Sequence, residues 1–236
     1  MFERPHHRRI GRVLQSLDGA ALRAHACLFG GGTAIALRFG EYRESVDMDF
    51  LVSDLAAYQQ LRLALTGTHG LAVLQRPGAA PLERAGDIRA DRYGIRARIL
   101  VDGQPIKFEI VHEGRILLAP PGAADDLCGV PMLTVLDMAA SKLLANSDRW
   151  SDDGVFSRDL IDLAMMQPPL RLLRQALAKA EAAYGEAVPR DLARAIEGMR
   201  QRPGWLVRCM QMMDVRRTPS ELWQRIRALR RVLVRP

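Results

Sequence analysis

Asp47 and Asp49 stand one residue apart in the stretch VDMDF, and the glycines Gly30, Gly31 and Gly32 precede them. In a strand, residues i and i+2 point to the same side, so both carboxylates are expected to project together, with Val46, Met48 and Phe50 turned to the core. Two carboxylates so placed can hold one or two Mg²⁺ ions, which prefer oxygen ligands and keep phosphate oxygens as co-ligands. GGGT ahead of a helix exposes backbone N–H groups where the helix dipole favours a phosphate. A tight strand-to-helix turn needs the same glycines, and the two readings are compatible. No G-K-[ST] and no G-x-G-x-x-G is present, which sets aside P-loop and Rossmann sites.

A third carboxylate is expected on a neighbouring strand. In PIKFEIV the alternation puts Lys107, Glu109 and Val111 on one face and Phe108 and Ile110 on the other. Glu109 would complete a three-carboxylate set with Lys107 beside it; an exposed Lys/Glu pair gives the same alternation. Further on, Lys142 and Arg149 are seven apart and share a helix face. Arg158, Asp159 and Asp162 neighbour one another at helical spacing. A salt-bridge network tying two helices accounts for them equally well. Of 34 basic residues only Lys107, Lys142 and Lys179 are lysine. In so arginine-rich a chain, a lysine marks a position where a compact ammonium cannot be exchanged for a planar guanidinium.

The elements that must position these residues follow from periodicity. A helix is expected from about Ile10 to Ala24, then a strand over ACLFG, then a helix from the glycines through TAIALRF. VDMDFLV reads as a strand, and DLAAYQQLRLALTGTHG as a helix capped by Asp54 and ended by glycine. LAVLQR, DIRADRY, IRARILVDG and PIKFEIVHE read as short strands, with D-G marking a hairpin. From Leu133 onward the pattern is helical. The fold class expected is α+β (α/β): a small mixed sheet with flanking helices over 1–118, then an all-helical domain over 119–236. The boundary is placed in the Pro/Gly cluster near residues 119 to 131.

Composition agrees with one large or two small globular domains: 236 residues, 48% hydrophobic and 26% charged. No apolar run reaches the roughly 18 residues of a membrane span, and the charged N-terminus is not a secretory signal, so cytoplasm is the expected location. Cys27, Cys128 and Cys209 have neither zinc nor disulfide spacing and read as apolar thiols. The five histidines likewise share no metal spacing. From Arg200 onward ten arginines face two acids, a basic end suited to nucleic acid or to a solvated helix face.

GGGTAIALRFGEYRESVDMDF, KFEIV, LDMAASKLLANSDRW and RDLIDL, in that order, resemble the successive motifs of the AbiEii/AbiGii-type nucleotidyltransferases, toxins of bacterial abortive-infection and toxin–antitoxin systems within the DNA polymerase β-like superfamily. The resemblance runs from about Phe29 to Asp162. It implies that Gly31, Gly32 and Thr33 approach a nucleoside triphosphate and that Arg43 and Ser45, in an R-x-S-x-D-x-D pattern, contact phosphate. Asp47 and Asp49 would bind two Mg²⁺ ions, with Glu109 in a third position where the family often has Asp. Lys142 would bind the triphosphate, and Asp159 or Asp162 would act as base or lysine partner. The implied reaction transfers a nucleotide to an RNA hydroxyl, a tRNA 3′ end, with a cognate antitoxin as partner. The alternatives are transfer to a protein or small molecule, a non-catalytic RNA-binding module, and a phosphate-releasing hydrolase.

Overall fold

A computed structural model describes residues 2–234. The chain forms two compact units, Met1–Arg38 with Ser45–Thr134, and Phe39–Glu44 with Val135–Pro236. The short segment Phe39–Glu44 thus belongs with the helical part, although it lies between residues of the first unit. The fold class is mixed α/β, as expected from the sequence.

The first unit is built on a five-stranded mixed sheet: β1 (Leu28–Gly30), β2 (Met48–Val52), β3 (Arg89–Ala90), β4 (Gly94–Val101) and β5 (Gln104–His112), in the order β1-β2-β5-β4-β3. β2 and β5 run parallel; the other pairs are antiparallel. β4 and β5 form the hairpin that D-G signals, with Asp102 and Gly103 both at positive φ, as a tight two-residue turn requires. A two-stranded ribbon, β6 (Asp126–Leu127) and β7 (Val130–Pro131), completes the strands of this unit among the described residues. One face of the main sheet is core. Phe29, Phe50 and Phe108 are fully buried there, with successive ring centroids 5.2 Å apart in tilted contacts. The other face is polar, and the period of two in PIKFEIV separates them: Phe108 and Ile110 are fully buried, while Lys107 is exposed and Glu109 only partly buried.

Four helices flank this sheet: α1 (Pro5–Ser16), α2 (Gly19–Ala24), α3 (Gly31–Arg38) and α4 (Leu55–Thr66). α4 carries the Asp54 cap, whose carboxylate accepts from the Ala57 N–H, and ends at Gly67. The single helix expected over Ile10–Ala24 is instead two. Leu17 leaves the helix to bridge to Gln75, and Asp18 caps a new helix by accepting from the Ala20 and Ala21 N–H groups. LAVLQR, expected as a strand, is a 3₁₀ turn over Gly70–Leu74. VDMDFLV is a strand only from Met48; Val46 is 48% exposed and does not join the core.

The second unit is helical: α5 (Val135–Arg149), α6 (Arg158–Met166), α7 (Leu170–Tyr184), α8 (Ala187–Gln201), α9 (Trp205–Met212) and α10 (Pro219–Ala228). Its core is the apolar stripe of each helix, including Leu143, Leu144, Leu160, Ile161, Leu163, Leu192 and Ile196. Phe39–Glu44 is tied in through the backbone: the Glu44 N–H donates to the Met213 carbonyl and the Arg216 N–H to that of Tyr42.

Candidate active site

In the first unit the candidate residues lie along one row of the sheet. Strand register places Gly30 opposite Asp49, Asp49 opposite Glu109, Glu109 opposite Arg96 and Arg96 opposite Arg89. Side chains directly opposite on adjacent strands are within interaction range, so this row sets the glycine turn, two carboxylates and two guanidinium groups side by side. Asp47 lies just before β2, in the segment that enters it, and is part-buried.

The glycine turn closes on Asp49. Gly31 has φ +68°, and a Cβ built on it would sit 2.4 Å from Asp49 Oδ2 and 2.8 Å from Asp49 Cβ. No residue other than glycine fits there without moving the carboxylate, which accounts for the turn by close approach as well as by conformation. Gly31 and Gly32 are part-buried and open the first turn of α3, where a helix leaves N–H groups without an intrahelical partner. Thr33 is buried and donates its hydroxyl to Ser45 Oγ at 2.7 Å. The Ser45 N–H in turn donates to Nε2 of the fully buried His7 at 3.1 Å, and His6 Nε2 lies 2.9 Å from the Val46 carbonyl. Two histidines of α1 therefore hold the Ser45–Val46 backbone that leads into the acidic pair. They share no metal spacing, and the adjacency of two histidines in sequence carried no signal of this role.

Glu109 is held by two cations. Its Oε1 accepts from Arg96 Nε at 2.7 Å, and its Oε2 lies 2.6 Å from Lys107 Nζ. Arg96 is anchored a second time, by Asp91 Oδ2 at 2.9 Å. Burial lowers the Lys107 pKa, but the hydrogen bond and charge of Glu109, then the charges of Asp49 and Asp47, more than reverse this and hold the ammonium protonated. Lys107 is therefore within electrostatic reach of all three candidate carboxylates. Among the described residues, no three His, Cys, Asp or Glu side chains are grouped closely enough to form a metal-ligand set. Asp47, Asp49 and Glu109 are oxygen donors of the kind a divalent cation takes, but Glu109 is held by Arg96 and Lys107.

The second unit gathers the other candidates. Lys142 Nζ lies 2.9 Å from Asp159 Oδ1 and 2.7 Å from Asp162 Oδ2. Asp162 Oδ1 accepts from Arg43 Nε and from the Tyr42 hydroxyl, each at 2.6 Å, and Arg43 Nη2 reaches Oδ2 at 2.9 Å. Arg149 makes two bonds to Asp159, at 2.7 and 3.0 Å. Lys142, Arg43, Asp159 and Asp162 are all buried. Burial alone would raise both aspartate pKa values. For Asp159 the Lys142 charge and the Arg149 hydrogen bond outweigh it, and for Asp162 the Arg43 and Lys142 charges do, so both lie below the usual carboxylate range. The same carboxylates hold the Lys142 pKa up against its burial. Tyr42 is pushed up chiefly by burial and then by the Asp162 charge. Both aspartates are lysine partners; Arg158, expected beside them from helical spacing, has no contact described with either.

The sequence profile described as "Nucleotidyl transferase AbiEii toxin, Type IV TA system" matches residues 12–229. The chain belongs to the AbiEii nucleotidyltransferase toxin family. It is accordingly a nucleotidyltransferase, and a nucleotide substrate and an antitoxin partner go with membership of the family. Two solved structures resemble it: a candidate nucleotidyltransferase from H. pylori (17% identity, TM-score 0.49, 97% of this chain and 94% of that one) and JHP933 from Helicobacter pylori (18% identity, TM-score 0.49, 97% and 91%). Among curated proteins, none matches. Among the described residues no helix is long and apolar enough to cross a membrane.

Proposed function

We propose that this toxin transfers a nucleoside monophosphate from an NTP to an RNA hydroxyl, a tRNA 3′ end, in a Mg²⁺-dependent reaction of the cytoplasm. The observation that carries the reading is the Gly30–Asp49–Glu109 row with Gly31 closed on Asp49. The first-turn N–H groups of α3, which a helix leaves without intrahelical partners, would receive phosphate oxygens, Gly31, Gly32 and Thr33 lying in that turn. Asp47 and Asp49 would hold the divalent ions, with Glu109 as third carboxylate once it is released from one of its cations. A bound divalent ion supplies charge neutralisation to the triphosphate. Ser45, positioned by Thr33 and His7, would donate to a phosphate.

The acceptor oxygen forms a bond to the α-phosphorus as the α–β bridging bond breaks; pyrophosphate leaves and the acceptor proton goes to solvent. In the second unit, the burial of Lys142 between two aspartates supports a part for it in organising Asp159, Asp162 and Arg43. Contact of its ammonium with a triphosphate would require release from one of these partners.

The test is incubation with Mg²⁺, each α-labelled NTP, total RNA and total protein. Label in RNA that is lost with Asp47→Ala or Asp49→Ala is the expected result. Label in protein alone would replace the acceptor, and unlabelled lanes throughout would overturn the reading.

A further inference from the structure

Each of the three lysines in this arginine-rich chain is ion-paired to a carboxylate: Lys142 to Asp159 and Asp162, Lys179 to Asp137, and Lys107 to Glu109. The first two serve carboxylates that are buried. Lys107 differs, because its side chain is 48% exposed and it sits beside the carboxylates assigned above to metal. The geometry points to Lys107 as the resident counter-ion of the acidic cluster, a tethered ammonium that a divalent ion must displace from Glu109 before the third carboxylate is free to bind. This inference rests on the metal-dependent reading and adds to it a residue that sets how readily the metal is taken up.

Several features support it. Arg96 and Lys107 divide the two oxygens of Glu109 between them, but they are held differently. Arg96 is fixed at both ends, by Glu109 and by Asp91, and so keeps the carboxylate oriented. Lys107 rides on a flexible four-carbon stem with half its surface in solvent, and an ammonium is a compact, strongly hydrated point charge that exchanges partners readily. Its cross-strand neighbour is Arg98, a like charge directly opposite, which disfavours the orientation away from Glu109. Register also places Asp49 opposite Glu109, so the ammonium lies beside the same pair of strands that carry the acids. One positive charge bound within the protein competes with a doubly charged ion for the same oxygens, whereas an arginine there would make a rigid fork that is harder to dislodge.

The experiment is a Mn²⁺ titration of the full-length protein, followed by the electron paramagnetic resonance of the free ion. Lys107→Met is expected to bind Mn²⁺ about tenfold more tightly than the unaltered protein, the order of one unit-charge contact in a partly exposed setting. Asp49→Asn is expected to weaken binding in both backgrounds. Equal or weaker affinity in Lys107→Met, with Asp49-dependent binding retained, would overturn the counter-ion role and leave the metal reading standing. Absence of Mn²⁺ binding in every protein would overturn both.

A second measurement needs no variant. Acylation of lysines by an amine reagent, read by peptide mass spectrometry, should label Lys107 several-fold faster when Mn²⁺ is present, while the buried Lys142 stays unlabelled as an internal control. A Lys107 rate unchanged or slowed by Mn²⁺ would overturn the displacement.

Discussion

Gly31 has no side chain because Asp49 occupies the space where one would begin. Gly31→Ala would set a Cβ against the Asp49 carboxylate and force an alanine into the left-handed region, at a conformational cost of roughly 1–2 kcal/mol. A shift of the carboxylate by about 1 Å can lower turnover by about 10²-fold, so transfer should fall by that order while circular dichroism stays native. Unchanged activity in this variant would mean that Asp49 is not at the reacting centre. At this scale period-two alternation placed Asp49 opposite Glu109 on neighbouring strands, whereas Asp47 lies ahead of β2 and outside that alternation. Their partners were not legible in the sequence. Arg96 reaches Glu109 only through hairpin register, and His7 reaches Ser45 from 38 residues away, a separation no local pattern encodes.

The segment Phe39–Glu44, α5 and α6 are joined by a network of three cations, Arg43, Lys142 and Arg149, and two aspartates. Removing one member of such a buried set leaves the rest uncompensated, so Asp162→Asn should destabilise the protein by about 3–5 kcal/mol, read from the denaturant midpoint. A midpoint that does not move would show that Arg43 and Lys142 find other partners. The pH dependence has a definite sign. Asp159 and Asp162 lie below their unfolded values, near 3.9, so their contribution is present above about pH 4 and lost as pH falls through the lower folded values. Lys142 lies above its unfolded value, near 10.4, so its contribution is present below that pH and lost above it. Thermal unfolding from pH 7 down to pH 2 should show Asp162→Asn losing less stability to acid than the unaltered chain. At this scale the sequence was read best where periodicity is local, as in α4 and the β4–β5 hairpin. It was misread where a tertiary contact decides: the Leu17–Gln75 bridge and the Asp18 cap divide one amphipathic run into α1 and α2.

Across the whole molecule, the basic end is less free than its composition suggests. Of the ten arginines from Arg200 onward, Arg200 and Arg230 pair with Glu197 and Arg202 with Asp153, while Arg235 lies outside the described residues. The exposed Arg217, Arg227 and Arg231 remain the better candidates for RNA phosphates. Replacing these three with glutamate should weaken RNA binding and reduce its salt dependence by about one counterion per lost phosphate contact, while leaving pyrophosphate release on a minimal acceptor unchanged. An unaltered salt slope would move the acceptor contact elsewhere. The central claim is nucleotidyl transfer at the Asp47–Asp49 pair, and its most direct test follows the products of an NTP labelled at the α- and γ-phosphates, with Mg²⁺ and a tRNA pool. The account predicts α-label in tRNA matched mole for mole by γ-labelled pyrophosphate, both lost in Asp49→Asn. Release of γ-labelled orthophosphate without transfer of α-label to any acceptor would contradict it.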